Sequence, residues 1–212
     1  MKPPYAYIAV EGLIGAGKTT LAKRLAAEWE ARTVLEEFED NPFLPKFYQD
    51  PQRHAFALEL SFLAQRYHQL RHVGERSLFN PVTVADYSLG KSLVFAGATL
   101  AADEHALFRD LHTIMYAGLP KPELLLYLHL PMATVRERIR SRGRSYEQQI
   151  TAAYLEQVQD RYLDHLRKLE GVRVIIMDIN GKDLRQDAQA YAALLAHLTK
   201  CREPGLYREQ LG

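Results

Sequence analysis

The sequence predicts an α/β fold of three layers, in which a five-stranded parallel sheet is flanked by helices. Short apolar segments of β character alternate with longer segments of helical periodicity along the 212 residues, and this alternation is typical of a parallel sheet covered on both faces. The chain contains no internal repeat, low-complexity segment or Gly/Ser-rich linker. A chain of this length is long enough for one well-buried core and marginal for two, so residues 1–212 are predicted to form a single domain.

Each strand is predicted from a compact apolar run, and each helix from apolar residues at helical spacing. The predicted strands are residues 5–10, 32–35, 82–85, 123–130 and 172–177. The predicted helices are residues 18–31, 88–118, 132–141, 154–169 and 184–200. The stretch 41–76 is polar and aromatic, and one helical face of it carries Phe56, Leu60, Leu63 and Tyr67. Ligands on such a sheet bind beyond the carboxyl ends of the strands.

The composition disfavours several classes of partner. Lys and Arg number 27 and Asp and Glu number 26, so the net charge is +1, and no general basic field favours a nucleic acid polymer or a membrane surface. The apolar runs are too short to span a bilayer, and the N-terminus lacks the apolar core of a signal peptide. Cys201 is the only cysteine, which fits a reducing compartment. We therefore expect a cytoplasmic enzyme.

A glycine-rich loop follows the first predicted strand and opens the first predicted helix. Its residues are Gly12, Leu13, Ile14, Gly15, Ala16, Gly17, Lys18, Thr19 and Thr20. Glycines let successive backbone N–H groups converge on phosphate oxygens, and the helix adds its positive N-terminal end. In this pattern Lys18 contacts the β- and γ-phosphates of ATP, and Thr19 gives its hydroxyl to Mg²⁺. The alternative, a turn that binds nothing, is disfavoured by the flanking strand and helix.

Such a P-loop on its own fits GTPases, motor ATPases and small-molecule kinases. A GTPase is expected to carry an Asn-Lys-x-Asp motif for guanine, and the sequence has none. A motor ATPase is usually larger. The sequence therefore predicts the P-loop kinase version of the three-layer fold.

Two acidic residues follow predicted strands at the same edge of the sheet as the P-loop. Glu36 follows the second strand, where a carboxylate would accept the proton of an attacking hydroxyl; a solvated loop residue is the alternative. Asp86 follows the third strand, where P-loop enzymes commonly place an acid that holds Mg²⁺ directly or through water. The alternative for Asp86 is a turn or helix cap.

An arginine-rich segment follows the fourth predicted strand and contains Arg136, Arg138, Arg140, Arg142 and Arg144. Arg138 and Arg142 are four residues apart and share a helix face, and Gly143 breaks the helix. We predict a lid at about residues 138–150, whose guanidinium groups would neutralise phosphate charge and exclude water. A solvated amphipathic helix face is the alternative.

These segments together resemble the deoxynucleoside kinase family, in particular its bacterial deoxyguanosine/deoxyadenosine kinase type. The resemblance runs from residue 5 to about residue 169. It rests on the P-loop, on the lid sequence Arg-Gly-Arg-Ser-Tyr-Glu, and on residues 36–44, 46–48, 57–70, 86–88 and 91–96. It implies transfer of the γ-phosphoryl group of ATP to the 5′-hydroxyl of a small-molecule deoxynucleoside, and a homodimer formed through long helices such as residues 57–70.

The resemblance also implies roles for individual residues. Glu36 matches the catalytic base, and Lys18 and Arg138 would stabilise the transferring phosphoryl group. The other implied positions are Tyr48 and Glu147 at the sugar 3′-hydroxyl, Arg142 and Arg144 in the lid, Glu59 and Arg66 at the base, and Phe56 packed on its flat ring.

One departure from the family pattern concerns the third strand end. Much of the family has Glu-Arg-Ser or Asp-Arg-Ser where this chain has Asp86, Tyr87 and Ser88. The arginine that would assist the 5′-hydroxyl and the phosphate is missing. Lys91, one turn further on, would replace its charge but not its bidentate fork; an exposed helix lysine is the alternative.

A second departure concerns the residue that meets the base. Many relatives have Gln there, and this chain has Glu59. An ionised carboxylate only accepts hydrogen bonds, which suits the adjacent N1–H and N2–H₂ donors of guanine. Deoxyguanosine is therefore predicted over deoxyadenosine and deoxycytidine, unless Glu59 is salt-bridged to Arg66 and reads nothing directly.

Two other functions fit the sequence. A nucleoside monophosphate kinase shares the sheet and the lid but needs an arginine site for the acceptor's phosphate, for which Arg53, Arg66 and Arg71 are the candidates. A non-catalytic regulator that binds ATP would explain the departure at Tyr87.

Overall fold

The computed structural model describes residues 2–38, 40–73, 81–179 and 182–211. The two end residues of the predicted domain, and positions 74–76 of the predicted helical stretch 41–76, lie outside the described residues. The described strands are β1 (Tyr7–Gly12), β2 (Arg32–Val34), β3 (Thr83–Ala85), β4 (Leu124–His129), β5 (Arg173–Asp178) and β6 (Gly205–Gln210).

The described helices alternate with these strands as the sequence predicts. They are α1 (Lys18–Trp29), α2 (Leu44–Gln49), α3 (Pro51–Leu70), α4 (Gly90–Thr99), α5 (Ala102–Tyr116), α6 (Met132–Arg142), α7 (Ala152–Arg167) and α8 (Ala188–Leu198). A short 3₁₀ helix, Ser145–Gln149, lies between α6 and α7. It forms the second half of the predicted lid.

The strands form one parallel sheet in the order β2-β3-β1-β4-β5-β6. Neighbouring residues of β1 point to opposite faces of the sheet: Ile8 packs in a buried cluster with Leu25 of α1, and Tyr7 packs in another with Leu63 of α3. Helices thus cover both faces, which confirms the three-layer α/β fold. The carboxyl ends of β1, β2 and β3 meet at one edge, and the P-loop, Glu36 and Asp86 follow them there.

The prediction of five strands is wrong, because the sheet has a sixth strand, β6. It pairs with β5 over its full length, from Gly205 beside Arg173 to Gln210 beside Asp178. β6 lies at the edge of the sheet, with β5 as its one neighbour. Its residues alternate between half-buried and exposed, because successive side chains point to opposite faces of the sheet. Its sequence, Gly-Leu-Tyr-Arg-Glu-Gln, lacks the continuous apolar run that marks strands buried on both faces.

The single helix predicted for residues 88–118 is two helices, α4 and α5. Leu100 (ψ 148°) and Ala101 (ψ 162°) are extended and interrupt the helical path. The backbone N–H of Ala101 donates to the Glu104 carboxylate at 3.3 Å, and Asp103 adds a second acid in the first turn of α5. Acidic side chains stabilise a helix N-terminus, so the new helix begins here.

The apolar face of residues 57–70 is buried inside the chain. Leu58, Leu63 and Leu70 are at most 3% exposed. In the described part of the chain, the exposed large apolar side chains are instead Leu107 and Ile114 on α5, together with Leu206 on β6. Among the described residues no helix is long and apolar enough to cross a membrane. Cys201 is exposed in the turn that joins α8 to β6.

Candidate active site

The P-loop wraps tightly around the start of α1. Gly12 has a φ of 149°, and a Cβ placed there would lie 2.9 Å from the Leu128 carbonyl oxygen. Gly17, the residue before α1, has a left-handed φ of 92°. The Lys18 ammonium group donates to the carbonyl oxygens of Gly12 at 3.0 Å and Leu13 at 2.9 Å. Only glycine fits the first position without displacing β4, so the loop geometry is a direct consequence of the sequence pattern.

The P-loop residues fit a nucleoside triphosphate. The first turn of α1 has no acidic residue and its N-cap makes no side-chain hydrogen bond, so its positive end remains available to an anion. A cavity of about 440 Å³ extends from the loop and is lined also by Arg138, Arg142 and the segment 183–185. The sequence had not singled out Arg24, which lines this cavity and lies 3.5 Å above the Tyr191 ring. An arginine in the middle of a helix has no sequence motif that distinguishes a ligand-binding side chain from a solvated one.

Arg138, in the predicted lid, forms a hydrogen bond with the P-loop. Its Nη1 donates to the Ala16 carbonyl oxygen at 3.3 Å, and its Nη2 donates to the Lys182 carbonyl oxygen at 3.4 Å. Its guanidinium also lies 3.8 Å from the position of a Cβ on Gly17. The structure therefore places Arg138 of α6 over the glycines that would surround the phosphates.

Asp86 links the P-loop to the end of β2. One carboxylate oxygen accepts a hydrogen bond from the Thr19 hydroxyl, and the other accepts from the Glu36 backbone N–H at 2.7 Å. An alcohol and a carboxylate in contact are oxygen donors suited to Mg²⁺, which usually takes few protein ligands and completes its shell with phosphates and water. The described residues contain no cluster of three or more metal-ligating side chains. Thr19 and Asp86 therefore fit a site at which Mg²⁺ takes its other ligands from a bound phosphate and water.

The side chain of Glu36 is held by two cations. Arg66 donates to one oxygen from Nε at 3.0 Å and from Nη2 at 2.6 Å, and the Lys91 ammonium group donates to the other oxygen. Burial alone would raise the pKa of Glu36, but Lys91 and Arg66 outweigh it and hold the pKa well below its ordinary value. Glu36 is therefore an ionised hydrogen-bond acceptor at the end of β2.

Glu11 is a buried acid that sequence reasoning missed. Its carboxylate accepts hydrogen bonds from the Ser88 N–H at 2.7 Å, the Ser88 hydroxyl at 2.8 Å and the Tyr162 hydroxyl at 3.0 Å. Burial raises the pKa of Glu11, and Lys91 is the largest opposing influence. The only signal in the sequence was a carboxylate at the end of an otherwise apolar strand.

Lys18 and Lys91 belong to the same electrostatic cluster. Burial and, after it, the positive charge of Lys91 lower the pKa of Lys18 to about 8, against the attraction of Glu36, Glu11 and Asp86. Lys91 thus interacts with Glu36 on the acceptor side and with Lys18 on the donor side. Its side chain is 6% exposed, so it is not an exposed helix lysine.

A second cavity, of about 120 Å³, opens beside this cluster. The predicted site residues that line it are Glu36, Tyr48, Glu59, Arg66, Asp86, Lys91, Arg142, Arg144 and Glu147. Its aromatic walls include Phe38, Phe62, Phe95, Tyr146 and Tyr154, to none of which the sequence analysis assigns a role. The cavity shares Gly15, Lys18 and Thr19 with the larger one. With Ile14 and these three P-loop residues, thirteen predicted site residues therefore converge on one space.

Phe56 does not line this cavity, contrary to expectation. It packs with Leu60 against the cluster that contains Leu63. The cavity side of α3 instead carries Glu59, with Phe62 and Arg66 three and seven residues further on. At 100° per residue, Phe56 lies about a quarter turn away from that side, so Phe62 is the ring of α3 that faces a ligand.

The far wall of the cavity comes from α2 and the lid. The Tyr48 ring stacks on Tyr146 with 5.7 Å between centroids. Glu147 is 5% exposed; one of its oxygens accepts from Arg144 at 3.2 Å and lies 3.5 Å from Arg142. The other oxygen, Oε2, has no partner among the described residues. Burial, followed by the charge of Glu147, raises the pKa of Tyr48, so its hydroxyl remains a donor.

Glu59 has few partners. One of its oxygens lies 3.4 Å from the Thr99 hydroxyl, and the other has no partner among the described residues. The alternative of a salt bridge to Arg66 is not what the structure shows, because Arg66 gives its hydrogen bonds to Glu36 and Ser92. Burial raises the pKa of Glu59 to about 7, so the expectation of a permanently ionised carboxylate is also incomplete.

Tyr87 does not line the second cavity. Its hydroxyl donates to the Gln69 side chain of α3 at 2.5 Å, and its ring is fully buried with Leu63 and Leu70. The side chain that replaces the family's arginine therefore packs the core between β3 and α3. The cations beside Glu36 come from Arg66 and Lys91.

Comparison with known proteins shows the family of this chain. The profile of the family described as "Deoxynucleoside kinase" matches residues 8–202. The chain belongs to the deoxynucleoside kinase family. It is 34% identical over 198 residues to a protein named deoxyguanosine kinase from Bacillus subtilis (strain 168), covering 91% of this chain and 95% of that one. It is 30% identical over 195 residues to the deoxyadenosine/deoxycytidine kinase of the same organism, covering 87% and 88%.

Solved structures of the family share the fold. The structure of deoxyadenosine kinase from M. mycoides with bound dATP superimposes with a TM-score of 0.74, at 20% identity, over 91% of this chain and 97% of that one. An agreement at this level of identity concerns the arrangement of strands and helices. It confirms the P-loop kinase fold of this deoxynucleoside kinase family member.

Proposed function

We propose that this member of the family transfers the γ-phosphoryl group of ATP to the 5′-hydroxyl of a purine deoxynucleoside, preferably deoxyguanosine, and releases the 5′-monophosphate. One observation carries the proposal: an ionised carboxylate, Glu36, lies where the P-loop cavity meets a second cavity with aromatic walls. The relatives named deoxyguanosine kinase and deoxyadenosine/deoxycytidine kinase support the same substrate class.

In this proposal Glu36 accepts the proton of the 5′-hydroxyl. Its low pKa makes it a weak base, but phosphoryl transfer passes through a loose transition state with charge spread over the phosphoryl oxygens, so positioning matters more than base strength. Asp86 fixes the Glu36 backbone through the 2.7 Å hydrogen bond, and Arg66 and Lys91 fix its side chain. Glu36 would therefore orient the hydroxyl as well as deprotonate it.

The phosphoryl group would be held by groups on the P-loop side. Lys18 and Arg138 supply positive charge around the loop, and Thr19 and Asp86 would hold Mg²⁺. When bound, Mg²⁺ supplies charge neutralisation to the phosphate oxygens. Tyr48 and Glu147 would hold the sugar 3′-hydroxyl, since the Tyr48 hydroxyl donates and the unpaired Glu147 oxygen accepts.

A nucleoside fits this arrangement better than a nucleoside monophosphate. The three arginines considered for an acceptor phosphate are poorly placed: Arg53 and Arg71 are exposed and outside the cavity, and Arg66 is neutralised by Glu36. We further propose that the enzyme acts in purine salvage in the cytoplasm as a homodimer. A panel of deoxyguanosine, deoxyadenosine, deoxycytidine and deoxyguanosine monophosphate with labelled ATP tests the substrate. Consumption of the monophosphate alone, or of none, would contradict the proposal.

Glu36→Gln tests the role of the base. The amide keeps the size of the side chain but removes the negative charge, so kcat for deoxyguanosine is expected to fall by about 10²–10⁴-fold. The control is Glu37→Gln, since Glu37 is adjacent and exposed and should retain normal turnover. A Glu36→Gln protein that folds and retains the kcat of the unmodified enzyme would refute the assignment.

A further inference from the structure

Glu59 is a buried carboxyl group with an unmet hydrogen-bonding capacity at the cavity wall. It is 2% exposed, and its Oε2 atom has no partner among the described residues. Buried polar atoms are nearly always paired. A group of this kind that lines a cavity is expected to find its partner in a ligand, so Glu59 marks the wall where hydrogen-bonding groups of the bound molecule are read.

The nearest polar neighbour of Glu59 supports a protonated carboxyl as readily as an ionised one. The Thr99 hydroxyl lies 3.4 Å from Glu59 Oε1 and 2.9 Å from the Phe95 carbonyl oxygen. A hydroxyl has a single hydrogen, and the carbonyl is the nearer acceptor. With its hydrogen given mainly to Phe95, the Thr99 hydroxyl holds Glu59 Oε1 only weakly, so a proton on Glu59 Oε2 stays available to a ligand.

The neighbouring cations are committed elsewhere. Arg66 gives Nε and Nη2 to Glu36 and Nη1 to Ser92, and Lys91 gives its ammonium group to Glu36. Neither forms a hydrogen bond with Glu59 among the described residues. Both still attract the ionised form from a distance.

The charged and titratable groups around Glu59 come from every element packed there. They are Arg66 of α3, Glu36 after β2, Lys91 of α4, Tyr48 of α2 and Tyr154 of α7. Across the cavity, the segment 142–147 adds Arg142, Arg144, Tyr146 and Glu147. Burial raises the pKa of Glu59 to about 7; Arg66, Thr99 and Lys91 oppose this rise, and Glu36 adds to it. Both tyrosines have raised pKa values because they are buried, so they stay neutral. The two forms of Glu59 are therefore both present near neutral pH.

The two forms present different patterns to a base. An ionised carboxylate only accepts, whereas a protonated carboxyl donates once and accepts once. Guanine presents two adjacent donors, N1–H and N2–H₂; adenine presents one donor, N6–H₂, beside one acceptor, N1. We infer that the proton on Glu59 selects the purine: ionised Glu59 binds deoxyguanosine, and protonated Glu59 binds deoxyadenosine.

This inference rests on the proposed function and has a quantitative signature. The ratio of ionised to protonated Glu59 rises about tenfold for each unit of pH. The ratio of kcat/KM for deoxyguanosine to kcat/KM for deoxyadenosine should follow it. Titration of other groups in the free enzyme, and of ATP, affects both substrates and cancels in this ratio.

The experiment is a competition between the two nucleosides in one mixture with MgATP, from about pH 6 to about pH 8. The ratio of the two monophosphates formed at early times gives the kcat/KM ratio directly. We expect it to rise about a hundredfold over this interval in favour of deoxyguanosine. A ratio that is constant with pH while both nucleosides react would overturn the inference and leave the proposed function intact. Absence of reaction with either nucleoside at every pH would overturn both.

Glu59→Gln provides the second test. An amide always offers one donor and one acceptor, so its ratio should favour deoxyadenosine and be independent of pH. Glu156→Gln on the exposed side of α7 is the control and should keep the pH dependence of the unmodified enzyme. A Glu59→Gln enzyme with the unmodified pH dependence would overturn the inference; if that variant does not fold, the unmodified enzyme decides the matter.

Discussion

Lys91 occupies an unusual position for a lysine, buried between acids of the donor and acceptor sides. Its ammonium group binds Glu36, and it is the largest opposing influence on the pKa of buried Glu11. A lysine lacks the fork of an arginine, but a point charge is sufficient to offset negative charge that develops on the phosphoryl group. We therefore expect Lys91 to act on catalysis more than on nucleoside binding.

Substitution Lys91→Met removes this charge and keeps most of the side-chain volume. We expect kcat to fall by about 10²-fold or more, with a smaller change in KM, because the charge is most needed in the transition state. Lys91→Arg should recover part of the lost kcat. Steady-state kinetics with deoxyguanosine and ATP measures both effects, with the exposed Lys23→Met as the control. Equal losses in kcat for Lys91→Met and Lys91→Arg would contradict the assignment, because the restored positive charge would then recover no activity.

Single residues of the site were predictable where a local motif carries them. The P-loop residues are adjacent in sequence, and Glu36 and Asp86 directly follow apolar strands. Glu11 was not predictable, because its partners Ser88 and Tyr162 are 77 and 151 residues away. The choice between Phe56 and Phe62 depends on how α3 is rotated about its axis. A rotation of a quarter turn is too small for periodicity alone to fix.

The packing of α4 on α7 brings a histidine against a glycine. A Cβ on Gly90 would overlap the His165 ring, so any larger residue there would require the ring to move. Burial lowers the pKa of His165 to about 4, and His112 and Lys168 add to the effect. His165 is therefore neutral in the folded protein at any pH near neutrality.

This histidine should make the protein less stable in mild acid. The pKa of His165 is lower in the folded than in the unfolded chain, so below about pH 6.5 the unfolded state binds more protons. The free energy of unfolding should decrease by about 2 kcal/mol from this group between about pH 6.5 and about pH 5. Urea unfolding at both pH values measures it. His165→Gln should lose that part of the pH dependence and His68→Gln, at an exposed site, should keep it; identical slopes for all three proteins would contradict the assignment.

Most strands were predictable from their buried apolar residues. Four strands with apolar runs and the short edge strand β2 were identified, and their ends moved by at most two residues. β6 escaped because polar residues such as Arg208 and Gln210 leave it without a continuous apolar run. The break between α4 and α5 escaped because Leu100 and Ala101 are ordinary helix formers whose extended backbone is imposed by packing.

At the scale of the whole molecule, the exposed apolar residues of α5 are candidates for contact with a second copy. Leu107 is 53% exposed and Ile114 is 74% exposed, and seven residues place them on one helix face. A stable dimer typically buries about 800 Å² on each partner. The face of α5 is a better candidate for such a contact than residues 57–70, whose apolar side chains already pack inside the chain.

We expect the protein to sediment as a dimer and the double variant Leu107→Glu with Ile114→Glu to sediment as a monomer. Two buried charges on each partner would cost far more than a surface substitution does. Sedimentation velocity measures the difference, and Lys23→Glu on α1 is the control at an exposed site of another helix. If the double variant still sediments as a dimer, the interface lies elsewhere. If the unmodified protein sediments as a monomer, the predicted dimer does not form.

The exposed thiol in the turn before β6 makes the protein convenient for spectroscopy. Because Cys201 is the only cysteine, a maleimide dye attaches at one point in each chain. A second cysteine introduced at exposed Arg140, on the lid helix, would accept a matching dye without removal of any native sulfur. Energy transfer between the two fluorophores would then test whether the predicted lid moves during turnover.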